Sequence, residues 1–210
     1  MAVTPNNGPV ILFQGDSITD CARDREDSCH LGHGYAAIAA AWYQASYPER
    51  MATFINRGIG GNTVLDLHAR WQEDCLDLKP ALVSILVGIN DAARTFRDGV
   101  PSAPEDFEVP FREILTQTKA AGAKIILMEP FLLPALEDQP FWRKDLDPKI
   151  QIIRDLAREF GAVLVPLDGI FAQAAARREP AFWIPEGVHP SPAGHALIAQ
   201  NWLKAAKDLI

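Results

Sequence analysis

Residues 10–20 read VILFQGDSITD. Val10 and Ile11 are β-branched, and with Leu12 and Phe13 they form a short apolar run suited to a buried strand. The run ends abruptly on Gly15, Asp16 and Ser17. Such an ending has a structural reading, in which glycine turns the chain and Asp or Ser caps the next helix. It also has a chemical one, because open α/β sheets place their reactive groups outside the carboxyl ends of the strands. The rest of the chain has to decide.

Four more apolar runs of similar length come later in the chain: ATFIN from Ala52, ALVSILVG from Ala81, KIILMEP from Lys124 and AVLVPL from Ala162. Between them lie longer segments with helical period. One stripe is Val64, Leu67, Trp71, Cys75 and Leu78; a second is Phe107, Phe111, Ile114 and Thr118; a third is Ile150, Ile153, Ala157 and Phe160. Thr63 with Asp66, and Ser102 with Glu105, have capping-box spacing, while Ser191 before Pro192 marks another helix start. The stretch from Glu129 to Trp142 is expected to be the longest irregular connection and to border a pocket. Strands alternating with helices predict an α/β protein with a parallel five-stranded sheet covered on both faces.

The 210 residues fit a single domain spanning 1–210, with 48% apolar and 22% charged residues. The net charge of −7 and the absence of Lys or Arg runs argue against nucleic acid or an anionic membrane as partner. No basic, apolar-cored leader is evident at the amino terminus and no apolar run is long enough to span a bilayer, so a cytoplasmic location is expected. Cys21, Cys29 and Cys75 lack disulfide or thiolate-zinc spacing. Cys29, His30 and His33 cluster, but a structural metal would need a fourth ligand, so no metal site is assigned. Cys75 reads as a core residue.

The residues just beyond the strands carry the chemistry. Gly15-Asp16-Ser17 lies after the first strand, GIGGNT (58–63) after the second, and Gly88-Ile89-Asn90-Asp91 after the third; PEGVHPSPAGH (185–195) precedes the last helical segment. Taken singly each is a turn. Together they supply an acyl-transfer site. Ser17 is the candidate nucleophile and His189 the candidate base. The oxyanion hole would combine the N–H groups of Ser17 and Gly61 with the Asn90 amide. Such a site needs neither metal nor cofactor.

These four blocks, in this order, resemble the GDSL or SGNH hydrolases, over about residues 10 to 205. The resemblance implies a flavodoxin-like three-layer α/β/α sandwich. The stretches FQGDSITDC, NRGIGGNTVLDL, RWQEDCLDLKP, SILVGIND and GVHPSPAGHALIA are similar to an acetylxylan-esterase-like cytoplasmic branch of that family. That branch implies removal of acetyl groups from xylan-derived sugars, and homo-oligomers. One position departs from the pattern: the family places an aspartate three residues before the histidine, and this chain has Glu186. Three readings stand. Glu186 serves as triad acid with an adjusted rotamer, a backbone carbonyl near Trp183 or Ile184 orients the imidazole instead, or catalysis is weakened.

Asp16, Asp20 and Asp91 are expected to take hydrogen bonds from loop N–H groups. Asp16 is also a candidate substrate contact, with Trp142 and Trp183; Phe96 is a further aromatic expected near the active face, and all three rings have core or subunit packing as the alternative. His195 is expected to face solvent or cap a neighbour, and His68 to lie beside the first apolar stripe. Hydrolysis of a small carbohydrate ester is the leading expectation, with a longer-chain lipase or thioesterase and a non-catalytic ligand-binding protein as alternatives. GIGGNT as a nucleotide phosphate loop fits neither glycine-rich pattern.

Overall fold

The computed structural model describes residues 8–99 and 103–210. Its strands are β1 (Val10–Gly15), β2 (Thr53–Asn56), β3 (Leu82–Leu86), β4 (Lys124–Met128) and β5 (Val163–Val165). The helices are α1 (Ser17–Asp20), α2 (Tyr35–Ser46), α3 (Val64–Ala69), α4 (Trp71–Asp74), α5 (Ile89–Arg97), α6 (Pro104–Ala120), α7 (Gln139–Phe160), α8 (Leu167–Ala175), α9 (Pro180–Trp183) and α10 (Pro192–Ala206). All strands are parallel, in the order β2-β1-β3-β4-β5. The five runs read as strands all lie in the sheet.

Both faces of the sheet are buried, which is why its strands are continuously apolar. Ile11, Phe13, Leu82, Ile126 and Met128 pack toward α2 and α10, where Trp202 donates its Nε1–H to Ser84 Oγ at 2.6 Å. Leu12, Val83, Ile85, Ile125 and Leu127 pack toward α3, α6 and part of α7. This is the expected three-layer sandwich.

The strand order makes the site. The chain runs from β1 outward to β2, then returns to lay β3 on the other side of β1. The loops after β1 and β3 therefore diverge at a topological switch point, leaving a crevice at the carboxyl ends of the two strands. Gly15 pairs with Leu86 there. A Cβ on Gly15 would stand 2.3 Å from the Leu86 carbonyl oxygen, so glycine is required for the close approach.

Two details differ from expectation. The stripe from Val64 to Leu78 is not one helix: it breaks at Arg70 into α3, α4 and a 3₁₀ turn at Leu76–Leu78. Arg70 ties this break to its surroundings, bonding Asn62 Oδ1, the Arg57 carbonyl and Asp74. Val64, Leu67, Trp71 and Cys75 are buried nonetheless. The irregular connection after β4 ends at Asp138, because Gln139 already opens α7. Its inner side bears on the turn at 186–187. Ser102 lies outside the described residues; at the same helix start Asp106 accepts the Ala103 N–H at 2.9 Å. The Thr63–Asp66 capping box and the Ser191 cap are present.

Candidate active site

Asp16 caps the short α1 by accepting the Ile18 N–H at 3.0 Å, which leaves Ser17 as the helix's first residue, facing the crevice. Ser17 Oγ is 2.9 Å from His189 Nε2, across 172 residues of sequence. On the other side of the ring, His189 Nδ1 is 2.6 Å from Glu186 Oε1. A carboxylate can only accept, so Nδ1 carries the ring hydrogen and Nε2 is free to take the Ser17 proton.

The glutamate reaches the ring by folding back. Its Oε1 also accepts the His189 backbone N–H at 2.6 Å, and Oε2 accepts from Val188 at 3.3 Å. The extra methylene is thus absorbed in a tight turn with both oxygens engaged. At position 186 the side-chain carboxylate is the group that contacts the imidazole Nδ1.

The candidate oxyanion donors Gly61 and Asn90 follow β2 and β3. A Cβ on Gly60 would lie 3.7 Å from Ser17 Cβ, and one on Gly61 would meet nothing within 4 Å. The peptide after Gly60 therefore borders open space beside the serine. Asn90 Nδ2 donates one hydrogen to the Asn62 carbonyl at 3.0 Å, and the amide carries a second. Asp20 Oδ2 accepts the Gly60 N–H at 3.0 Å and pairs with Arg25 at 2.6 Å. Burial pulls the Asp20 carboxyl upward, but the Arg25 and N–H donors outweigh it and hold it below the usual range.

Two buried acids lie under this surface. Asp16 is 1% exposed, and its Oδ2 has no hydrogen-bond partner among the described residues. Burial, aided by the charge of Asp91, raises it to about 7. Asp91 accepts the Val64 N–H at 3.2 Å, bracing the start of α3, and burial raises it to about 6.

Some expected contacts move. Asp16 is sealed beneath the serine and presents nothing to a substrate. Trp142 is 1% exposed, bonds Asp138 through Nε1 at 3.1 Å and lies beneath the Arg97 guanidinium at 4.7 Å, so it too has no free ring face. Trp183 is half-buried, donates to the Ala174 carbonyl and lines an apolar groove with Trp42 and Leu197. That groove includes none of Ser17, Gly61, Asn90, Glu186 or His189. Phe96 is exposed on α5. His195 does not face solvent: it is buried and accepts the Tyr35 N–H at the start of α2, a cap on a neighbour. Burial, with a smaller contribution from His189, lowers it to about 4. His68 pairs with Glu113 at 2.7 Å.

Two bracing residues carried no motif. Asn56 is buried at the end of β2, donates to the Thr19 and Leu31 carbonyls and accepts the Gly58 N–H. Gln139 opens α7 and bonds the Glu186 carbonyl through its amide. A polar residue closing an apolar strand, as in ATFIN, was the available signal for Asn56. Among the described residues no cluster of His, Cys, Asp and Glu is arranged to hold a metal, and no helix is long and apolar enough to cross a membrane.

Residues 13–197 match the GDSL-like lipase/acylhydrolase family. The chain belongs to that family. This GDSL protein is 37% identical, over 94% of both chains, to an acetylxylan esterase from Geobacillus stearothermophilus. It superposes on the crystal structure of Axe2, an acetylxylan esterase from that organism, with a TM-score of 0.87 at 36% identity, covering 97% and 96% of the two chains. A more distant relative, thioesterase 1/protease 1/lysophospholipase L1 of Escherichia coli, is 27% identical over 86% of this chain and 81% of its own. These relationships make the GDSL chain a carboxylic ester hydrolase. Axe2 has been crystallised as catalytic mutants at a serine, an aspartate and a histidine, the aspartate standing three residues before the histidine. The GDSL chain has glutamate at that spacing.

Proposed function

We propose that this protein is a serine esterase of short-chain, chiefly acetyl, esters of carbohydrates, built as a single hydrolase domain with Ser17 as nucleophile, His189 as base and Glu186 as acid. The continuous chain of contacts from Ser17 Oγ through the His189 ring to Glu186 carries the reading. Ser17 Oγ attacks the acyl carbon while its proton passes to His189 Nε2. The carbonyl oxygen gains the electron pair, and the N–H groups of Ser17 and Gly61 with the Asn90 amide stabilise it. Collapse expels the alcohol, which takes the proton from Nε2, and leaves an acyl-serine. Water then repeats the sequence with His189 as base, releasing the acid.

Glu186 holds the tautomer and stabilises the imidazolium. Its side chain is 47% exposed and that of His189 57%, so solvent screens the charge and orientation is its larger contribution. The carbohydrate assignment is supported by likeness to the acetylxylan esterases, not by Trp142, which is buried.

The test is acetate release from an acetylated xylo-oligosaccharide beside an acyl-length series of p-nitrophenyl esters. Turnover of the sugar, with rates falling beyond short acyl chains, is expected, as is labelling of Ser17 by a serine-directed phosphonate. A preference for long chains would favour a lipase or thioesterase, and no turnover or labelling would make it a non-catalytic member. Light scattering tests the oligomer implied by the acetylxylan-esterase resemblance; a monomer of 23.1 kDa would contradict it.

A further inference from the structure

Gln139, the first residue of α7, is fully buried although its side chain is polar. Its amide meets different chemistry at its two ends. Oε1 accepts the N–H groups of Ala135 at 2.7 Å and Leu136 at 3.0 Å, while Nε2 donates to the Glu186 carbonyl at 2.8 Å. Two donors at one end and an acceptor at the other fix the amide's orientation. They also explain the residue type: an ionised glutamate would turn a second acceptor toward the Glu186 carbonyl.

The packing is equally specific. Gly187 has φ +92°, and a Cβ there would stand 2.2 Å from Gln139 Oε1. Only glycine lets the peptide and the amide meet this closely. Next to that contact, Leu133 donates its N–H to the Gly187 carbonyl at 3.1 Å. Consecutive carbonyls of the acid-bearing turn are thus held, one by a side chain and one by the backbone of the 129–138 connection. The glutamate arm, folded back onto two His189 donors, is anchored at its own backbone.

We propose that Gln139 is a positioning residue for the esterase reaction, holding the Glu186–Gly187 peptide where the longer acid reaches His189 Nδ1. This rests on the reading of Glu186 as triad acid. Gln139 touches neither substrate nor the reacting atoms, so its effect must pass through Glu186.

The test is a double-mutant cycle of Gln139→Glu and Glu186→Gln, with thermal melts to confirm folding and Gln139→Met in the same cycle should the buried carboxylate prevent it. In the natural background Gln139→Glu is expected to lower kcat about 10- to 100-fold, with KM within about twofold. In the Glu186→Gln background the same change is expected to cost less than about threefold, because its route is already cut. The ratio of variant to wild-type kcat is also expected to rise as pH falls, since a protonated Glu at 139 regains a donor for the Glu186 carbonyl. Equal losses in both backgrounds, or a ratio flat with pH, would overturn the proposal. Wild-type kcat in Glu186→Gln alone would instead bring down the triad reading, and this inference with it.

Discussion

The proposed nucleophile side and the proposed acid–base side of the site are built on different principles. Ser17, the Gly60–Gly61 peptide and Asn90 emerge from the carboxyl ends of β1, β2 and β3, where buried Asp16, Asp91 and Asn56 hold the loops. Glu186 and His189 stand on an exposed turn before α10, secured by a buried glutamine from another element. The first side is fixed by the sheet's strand ends and the buried polar residues beneath them. The second relies on a few hydrogen bonds, and it is the side on which this chain departs from the family's aspartate.

Breaking the nucleophile side should cost most. Ser17→Ala is expected to reduce kcat by about 10⁴- to 10⁶-fold, read by acetate release, because among the described residues no other hydroxyl is bonded to His189 Nε2. Asn90→Ala removes the proposed oxyanion donor and is expected to cost about 10²- to 10³-fold in kcat with little change in KM. Part of that loss reflects the bond to Asn62 that shapes the Gly61 loop. A comparable rise in KM instead would mean that Asn90 binds the ground state.

The smallest effect concerns stability and sharpens the contrast between buried and exposed acids. Asp16 titrates at 3.8 unfolded and about 7 folded, so the folded state holds its proton across that window. Wild-type stability contributed by this group is therefore complete below about pH 4 and lost as pH rises through about 7. Asp16→Asn does not titrate. Its stability relative to wild type is expected to rise across that window, by up to about 4 kcal/mol, as read by denaturant melts at pH 4, 6 and 8. A gap unchanged with pH would show that Asp16 is not held protonated in the folded state.

Much of this was legible in the sequence for identifiable reasons. Strands buried on both faces leave continuous apolar runs, and the residues at their carboxyl ends stand out because Gly, Asp, Ser and Asn do not belong in such runs. That is why Ser17, Gly61 and Asn90 stand out as candidates, and the sheet's strand order sets their loops at neighbouring carboxyl ends. The stripe through Val64 and Trp71 announced burial correctly, but periodicity is blind to the break at Arg70, which depends on tertiary bonds to Asn62 and Arg57. Trp142 failed as a surface residue for a similar reason: its position beside an irregular segment said nothing of the Arg97 and Asp138 contacts that cover it. Gln139 was silent because one buried amide has no pattern of its own.

The most direct test of the account is kcat for acetate release by wild type, Glu186→Asp and Glu186→Gln, measured under one set of conditions. Glu186→Gln is expected to fall about 10²- to 10⁴-fold, with Glu186→Asp between it and wild type because a carboxylate is kept in a turn shaped around the folded-back glutamate. Glu186→Gln within about threefold of wild type would show that the carboxylate is not the triad acid.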